Sequence, residues 1–201
     1  DSALDSALLE PTRRLYNRGS LNKESAAPFQ TAFSNVTAQS NHFDERGDAH
    51  MVDVSGKPVT VREATARGEV TMQPSTAEMI RSGSAKKGDV LGIARLSAIQ
   101  ATKLTQQLIP LCHAIPIEAV RVEFGWVPRE ERTGTESIRC HVTVRTSAKT
   151  GVEMEAMTAV SVACLTIYDM AKSVDRGISI GPLELVAKSG GKSGEFRRSE
   201  P

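Results

Sequence analysis

Aromatic side chains are scarce in this chain of 201 residues, with one Trp, two Tyr and five Phe, 4% in all. Single-stranded nucleic acid is held largely by bases stacked on such rings, so that class of ligand lacks its platform. An excess of one charge sign is missing too. A formal net charge of +1 gives no global field for a polyanion, and any anion site has to be local. Cysteine is limited to Cys112, Cys140 and Cys164, an odd number, widely spaced in apolar or alternating contexts. Neither a disulfide framework nor a zinc knuckle follows, and a reducing compartment fits. No run combines the ~20 apolar residues of a membrane span with charge-free flanks, and the residues after Asp1 form no secretory apolar core. A soluble protein with no nucleic-acid and no membrane partner is expected.

The length suits one domain plus an appendage. Residues 1–43 are rich in Ser, Ala, Asn and scattered charge, with little sustained apolar periodicity, and read as a flexible extension preceding a domain over 44–201. Arg13, Arg14 and Arg18 suit an organelle-targeting segment, against which Asp1, Asp5, Glu10 and Glu24 count. From residue 44 the patterns sharpen. Ala64, Ala66, Gly68, Val70 and Met72 alternate with polar residues, the period of a half-buried strand. Ser75 or Thr76 can cap a short helix through Ile80, and a longer helix runs from Asp89 to about Leu108 before Pro110 stops it. Val120 to Trp126 and Ile138 to Val144 alternate again, joined as a hairpin through 128–134. Ala156–Lys172 is apolar on nearly every face, the pattern of an interior helix, and Ile178 to Leu185 form a last strand with Gly181-Pro182 in or at its edge. The order β-α-β-β-α-β predicts an α+β, ferredoxin-like sandwich: an antiparallel sheet with helices on one face.

Charge interrupts this scaffold at a few places. Asp169 and Lys172 emerge at i,i+3 from the interior helix, near low dielectric, where an ion pair either is structural or shifts the ammonium toward acid-base work. Lys87 precedes a helix start, at Lys87-Gly88-Asp89, and Leu111, Cys112 and His113 follow the same helix's exit. Glu153 and Glu155 lie near the positive end of the interior helix; they are caps, or, if the segment is extended, a carboxylate pair facing one way. Lys188-Ser189-Gly190-Gly191-Lys192-Ser193-Gly194 is a glycine-rich, basic stretch suited to an anion. It is not a P-loop, because Val186 stands where the first glycine belongs.

Six segments taken in order resemble the cyclic pyranopterin monophosphate synthases, the molybdenum cofactor biosynthesis protein C family. They are His50-Met51-Val52-Asp53-Val54-Ser55, Lys87-Gly88-Asp89, Leu108-Ile109-Pro110-Leu111-Cys112-His113, Lys149-Thr150-Gly151-Val152-Glu153-Met154-Glu155-Ala156, Leu165-Thr166-Ile167-Tyr168-Asp169-Met170 and the stretch from Lys188 to Gly194. The likeness runs from about residue 42 to the C-terminus. Ala148 and Ala114-Ile115 depart from the usual family residues in loops.

The resemblance implies a ferredoxin-like homohexamer built from dimers, with the active site at the dimer interface. It implies a lyase that converts (8S)-3′,8-cyclo-7,8-dihydroguanosine 5′-triphosphate to cyclic pyranopterin monophosphate and diphosphate, an early step of molybdenum cofactor biosynthesis. Asp169 and Lys172 are then catalytic. Lys87, His113, Lys188 and Lys192 suit the triphosphate, and Leu111, Cys112, Glu153, Met154 and Glu155 contact substrate. No cofactor and no protein-held metal is implied, though a divalent ion can accompany the triphosphate. Bacterial members would be cytoplasmic and eukaryotic ones would work in the mitochondrial matrix. The alternatives on the same fold are a noncatalytic nucleotide-binding regulator or an assembly subunit.

Overall fold

Alternation along the strands decides where the core of this protein sits. The computed structural model describes residues 42, 46–127 and 134–199. Its elements are β1 (Thr60–Met72), α1 (Pro74–Arg81), α2 (Val90–Leu108), β2 (Ala119–Val127), β3 (Glu136–Ala148), α3 (Glu153–Ala171), β4 (Ser179–Ser189) and β5 (Phe196–Arg197). On β1 the buried row is Ala64, Ala66, Gly68, Val70 and Met72; on β3 it is Ile138, Cys140, Val142, Val144 and Thr146. The register sets Ala66 opposite Val142 and Val70 opposite Ile138, so both rows share the face on which α3 packs. The other face carries polar cross-strand pairs: Thr65 with Thr143, Arg67 with Glu184 and Glu69 with Arg139.

All neighbouring strands are antiparallel, in the order β2-β3-β1-β4-β5. With the helices against one face, this is the ferredoxin-like α+β sandwich the periodicities predict. Helix α3 lies close on the sheet because its inner stripe is small: Ala156, Ala159, Ala163 and Cys164 are fully buried. Gly68 completes the approach, since a Cβ there would lie 2.7 Å from Leu183 Cδ2 and 2.8 Å from Cys164 Sγ. Burial pushes the thiols of both Cys140 and Cys164 up to about 12. Among the described residues α3 is also the one helix long and apolar enough to cross a membrane, but half of that apolar stretch is buried in the fold, as a core helix requires.

Several boundaries differ from the sequence pattern. Strand β1 begins at Thr60 and helix α3 at Glu153, three residues before the expected Ala156. Helix α1 is capped by neither Ser75 nor Thr76. Pro74 opens the helix, with its fixed φ and missing N–H suited to that position, and this makes Gln73 the N-cap. Asp89 does cap α2, accepting from the Gly92 amide at 2.8 Å. Strand β4 continues to Ser189, and the chain turns back to pair β5 with it, so the glycine-rich stretch is a turn between strands. The expected extension over 1–43, His42 apart, and residues 128–133 of the expected hairpin lie outside the described residues.

Candidate active site

The last turn of α3 presents Asp169, and Lys172 follows as its C-cap. Lys172 Nζ lies 2.5 Å from Asp169 Oδ1, the i,i+3 pair that the helix period dictates. The second carboxylate oxygen accepts from Lys87 Nζ at 3.1 Å, and the same ammonium donates to the Asp169 carbonyl at 2.8 Å. Lys87 gets there from the loop before α2, where Gly88, at φ +91°, takes a left-handed turn that a side chain would resist. One carboxylate thus serves two ammonium groups.

This group is not in low dielectric, as the interior pattern of the helix predicted. The side chains of Asp169, Lys172 and Lys87 are 57%, 50% and 45% exposed: they lie on the solvent side of a helix end whose other side buries Met170 and Ala171. Desolvation is therefore a minor influence. The hydrogen bonds from Lys172 and then Lys87 hold the Asp169 carboxyl below its ordinary range, and the bond to Asp169 raises Lys172 above the ordinary lysine value. Lys172 in this setting is a stabilised ammonium, a proton donor rather than a free base.

At the opposite end of α3, Glu153 and Glu155 occupy the first turn. The expectation that an extended segment points both carboxylates one way is overturned, since residues two apart on a helix diverge. Glu153 meets Lys188, with Oε1 and Nζ 3.6 Å apart, and Lys188 also donates to Ser193 Oγ. Glu155 turns inward and is 4% exposed. Burial, aided by Glu153, pushes its carboxyl up. The Cys112 thiol is raised first by burial and then by the charge of Glu155, which places the Leu111-Cys112-His113 segment at this end. His113 Nε2 donates to the Val52 carbonyl at 2.8 Å. Met154, 40% exposed, completes the group.

Beside Glu153 opens a cleft of about 540 Å³. Lys57, Arg62, Lys149 and Lys192 line it against the acids Glu63 and Glu153, so cations predominate. Lys57 and Arg62 were not among the residues the sequence singled out, and Lys149 figured there only as the first residue of a segment, with no role of its own. Arg62 left a signal: it occupies the buried row of β1, where the alternation calls for an apolar residue. It is 9% exposed, held by long bonds of 3.4 Å from Nε to the Ala148 carbonyl and from Nη2 to that of Lys149. Gly191, at φ +76°, closes over its guanidinium; a Cβ there would fall 1.5 Å from Nη1. Lys149 Nζ donates to the Ser55 carbonyl at 2.7 Å, tying the His50-to-Ser55 segment to this end.

The residues singled out by the sequence therefore form two groups. Lys87, Asp169 and Lys172 are at one end of α3; Leu111, Cys112, His113, Glu153, Met154, Glu155, Lys188 and Lys192 are at the other. From Glu153 to Asp169 the helix climbs about 24 Å at its regular rise, whereas proton transfer needs heavy atoms within ~3 Å. One protomer does not bring the two groups together.

The model of the MoaC family matches residues 51–191. A cyclic pyranopterin monophosphate synthase of Rhodopirellula baltica is 54% identical over 164 residues, covering 80% of this chain and 94% of that protein. Proteins of the same name from Parvibaculum lavamentivorans and Cereibacter sphaeroides are 53% and 54% identical, over 78% and 79% of this chain and 94% and 96% of their own lengths.

Proposed function

The chain belongs to the MoaC family, and from that premise we propose that it is the lyase of molybdenum cofactor biosynthesis that forms cyclic pyranopterin monophosphate from the cyclised dihydroguanosine triphosphate, releasing diphosphate. The observation that carries this reading is the division of labour between the ends of α3: an anion-binding cleft rich in cations at one, and a paired ammonium and carboxylate at the other. The reaction opens ring C–N bonds, which requires a proton donor, and closes a cyclic phosphate, which requires cations to absorb charge as an internal hydroxyl attacks the α-phosphate. Lys172, kept protonated by Asp169, supplies the proton, and Lys87 fixes the other oxygen of that carboxylate. Lys188 and Lys192, together with Arg62, grip the triphosphate. Glu153 and Glu155 meet donors on the guanine-derived ring.

Because the two groups are too far apart in one protomer, the working site combines the cleft end of one subunit with the Asp169 end of another. A homohexamer built from dimers supplies that arrangement. Ile93, Leu96 and Leu165 offer apolar side chains on the exposed faces of α2 and α3 for such association. No cofactor is assigned, and a divalent ion would enter with the triphosphate as part of the substrate. The setting is the cytoplasm if the chain is bacterial, as these relatives are, and the mitochondrial matrix if it is eukaryotic.

Incubation with the cyclised nucleotide tests the reading directly. Diphosphate and, after oxidation, a fluorescent pterin are expected together, and Lys172→Ala is expected to lower kcat by about 10²–10⁴-fold, the range of a lost general acid, with assembly intact. Binding without turnover by the parent would instead leave a nucleotide-binding regulator on the same fold.

A further inference from the structure

Asp175 lies just past the catalytic end of α3 and is 7% exposed. Its carboxylate is fully engaged. Oδ2 accepts from the Gln73 amide at 2.9 Å and the Thr76 hydroxyl at 3.1 Å, while Oδ1 accepts from the Gly177 amide at 3.0 Å. A buried charge persists only where donors satisfy it, and truncating it orphans each of them.

These donors come from two places. Gly177 belongs to the turn that leaves α3, itself begun by the Val174 and Asp175 amides donating to the Ala171 carbonyl. Gln73 and Thr76 open α1, 102 and 99 residues earlier in the chain. Helix α1 has no side-chain cap of its own. Its far end is tied to the loop that carries Lys87, through the Ser84 amide on the Met79 carbonyl at 3.1 Å and then the Gly88 amide on the Ala85 carbonyl at 2.9 Å. The end of α3 carries Asp169 and Lys172. Helix α2 packs along α3, but the polar contact between the loop that carries Lys87 and the end of α3 is the Lys87–Asp169 pair, and an exposed ion pair fixes little by itself. The geometry of that pair has to be set from beneath.

We propose that Asp175 is a positioning residue for the Lys87–Asp169–Lys172 group: it bolts the entry of α1 to the exit of α3, so that two ammonium groups converge on one carboxylate. The functional consequence rests on the role assigned to that group above, whereas the positioning itself is measurable without turnover.

Two readouts decide it, both taken on the full-length protein. Competitive acylation of lysines without substrate, followed by mass spectrometry, is expected to label Lys87 severalfold faster in Asp175→Ala, with the exposed Lys103 on α2 unchanged as the internal standard. With the cyclised nucleotide, the same variant is expected to lose about 10- to 100-fold in kcat at nearly unchanged KM, as a misplacement near 1 Å does. Thr76→Val, which removes one donor from α1 and leaves Asp175 in place, is expected to move both readouts in the same direction by less, and serves in full if Asp175→Ala does not fold. Unchanged Lys87 labelling in the folded variants overturns the proposal. If Lys87 labelling rises but the parent converts no cyclised nucleotide, the positioning stands and the reaction assigned above is wrong.

Discussion

Asp169 is a solvent-facing acid whose effect depends on its partners rather than on burial. Its carboxyl is held low by Lys172 and Lys87, so its share of the pairing is present above the ordinary carboxyl value of 3.8 and is lost as pH falls through the depressed one. Lys172 is raised, so its share is present below the ordinary lysine value of 10.5 and is lost as pH rises through the raised one. Between those limits the pair is intact, and at neutral pH Lys172 is a charged donor. Asp169→Asn removes the main cause of the elevation while the exposed setting keeps the cost in stability small. The alkaline limb of the kcat/KM profile is therefore expected to move to lower pH in that variant, with thermal unfolding little changed. An unmoved limb would mean that Lys172 is not the acid the profile reports. The charge pair itself was legible from the i,i+3 spacing. Its exposure was not, because an apolar run describes the helix as a whole and does not say which side of its last turn meets solvent.

At the scale of elements, the packing of α3 on β1 turns on Gly68. Its backbone is not left-handed, so the constraint is space: an added methyl meets Leu183, Cys164 and, at 3.1 Å, Val160. Gly68→Ala is expected to destabilise by about 1–3 kcal/mol, the usual cost of overpacking, measured as a lower urea midpoint with unchanged slope. The alternation placed Gly68 on the buried row, but why glycine stands there became visible only once α3 lay across it. The same limit explains the missed strand end. Lys188 and Ser189 read as loop because polar residues and glycines follow one another there, yet β4 carries them along the edge of β1 and β5 covers the outer side. Pairing with neighbours overrides local composition. Arg62 is the converse case, a charged side chain in an apolar row, kept there by two carbonyls and covered by a glycine turn.

For the whole molecule, the decisive quantity is the length of α3. A site that needs both of its ends needs two copies of the chain, and a two-fold dimer then holds two equivalent sites. Variants damaged at opposite ends should therefore complement each other. Lys172→Ala and Lys188→Ala, each nearly inactive alone, are expected after unfolding and refolding in equal amounts to recover about one quarter of parental activity, because half of the dimers are mixed and each of those carries one intact site. Recovery of nothing would place the site within a single protomer. The sequence by itself determined the element order, the buried faces of the sheet and the identities of most of the charged residues, because periodicity and spacing are local properties. Only the tertiary structure decided which of those charges meet: it joined Lys87 to Asp169 across 82 positions of chain, gathered Arg62 and the glycine turn around one cleft, and set that cleft and the Asp169 group at opposite ends of a rigid helix. Distance between residues far apart in sequence is fixed by packing, and no local pattern encodes it.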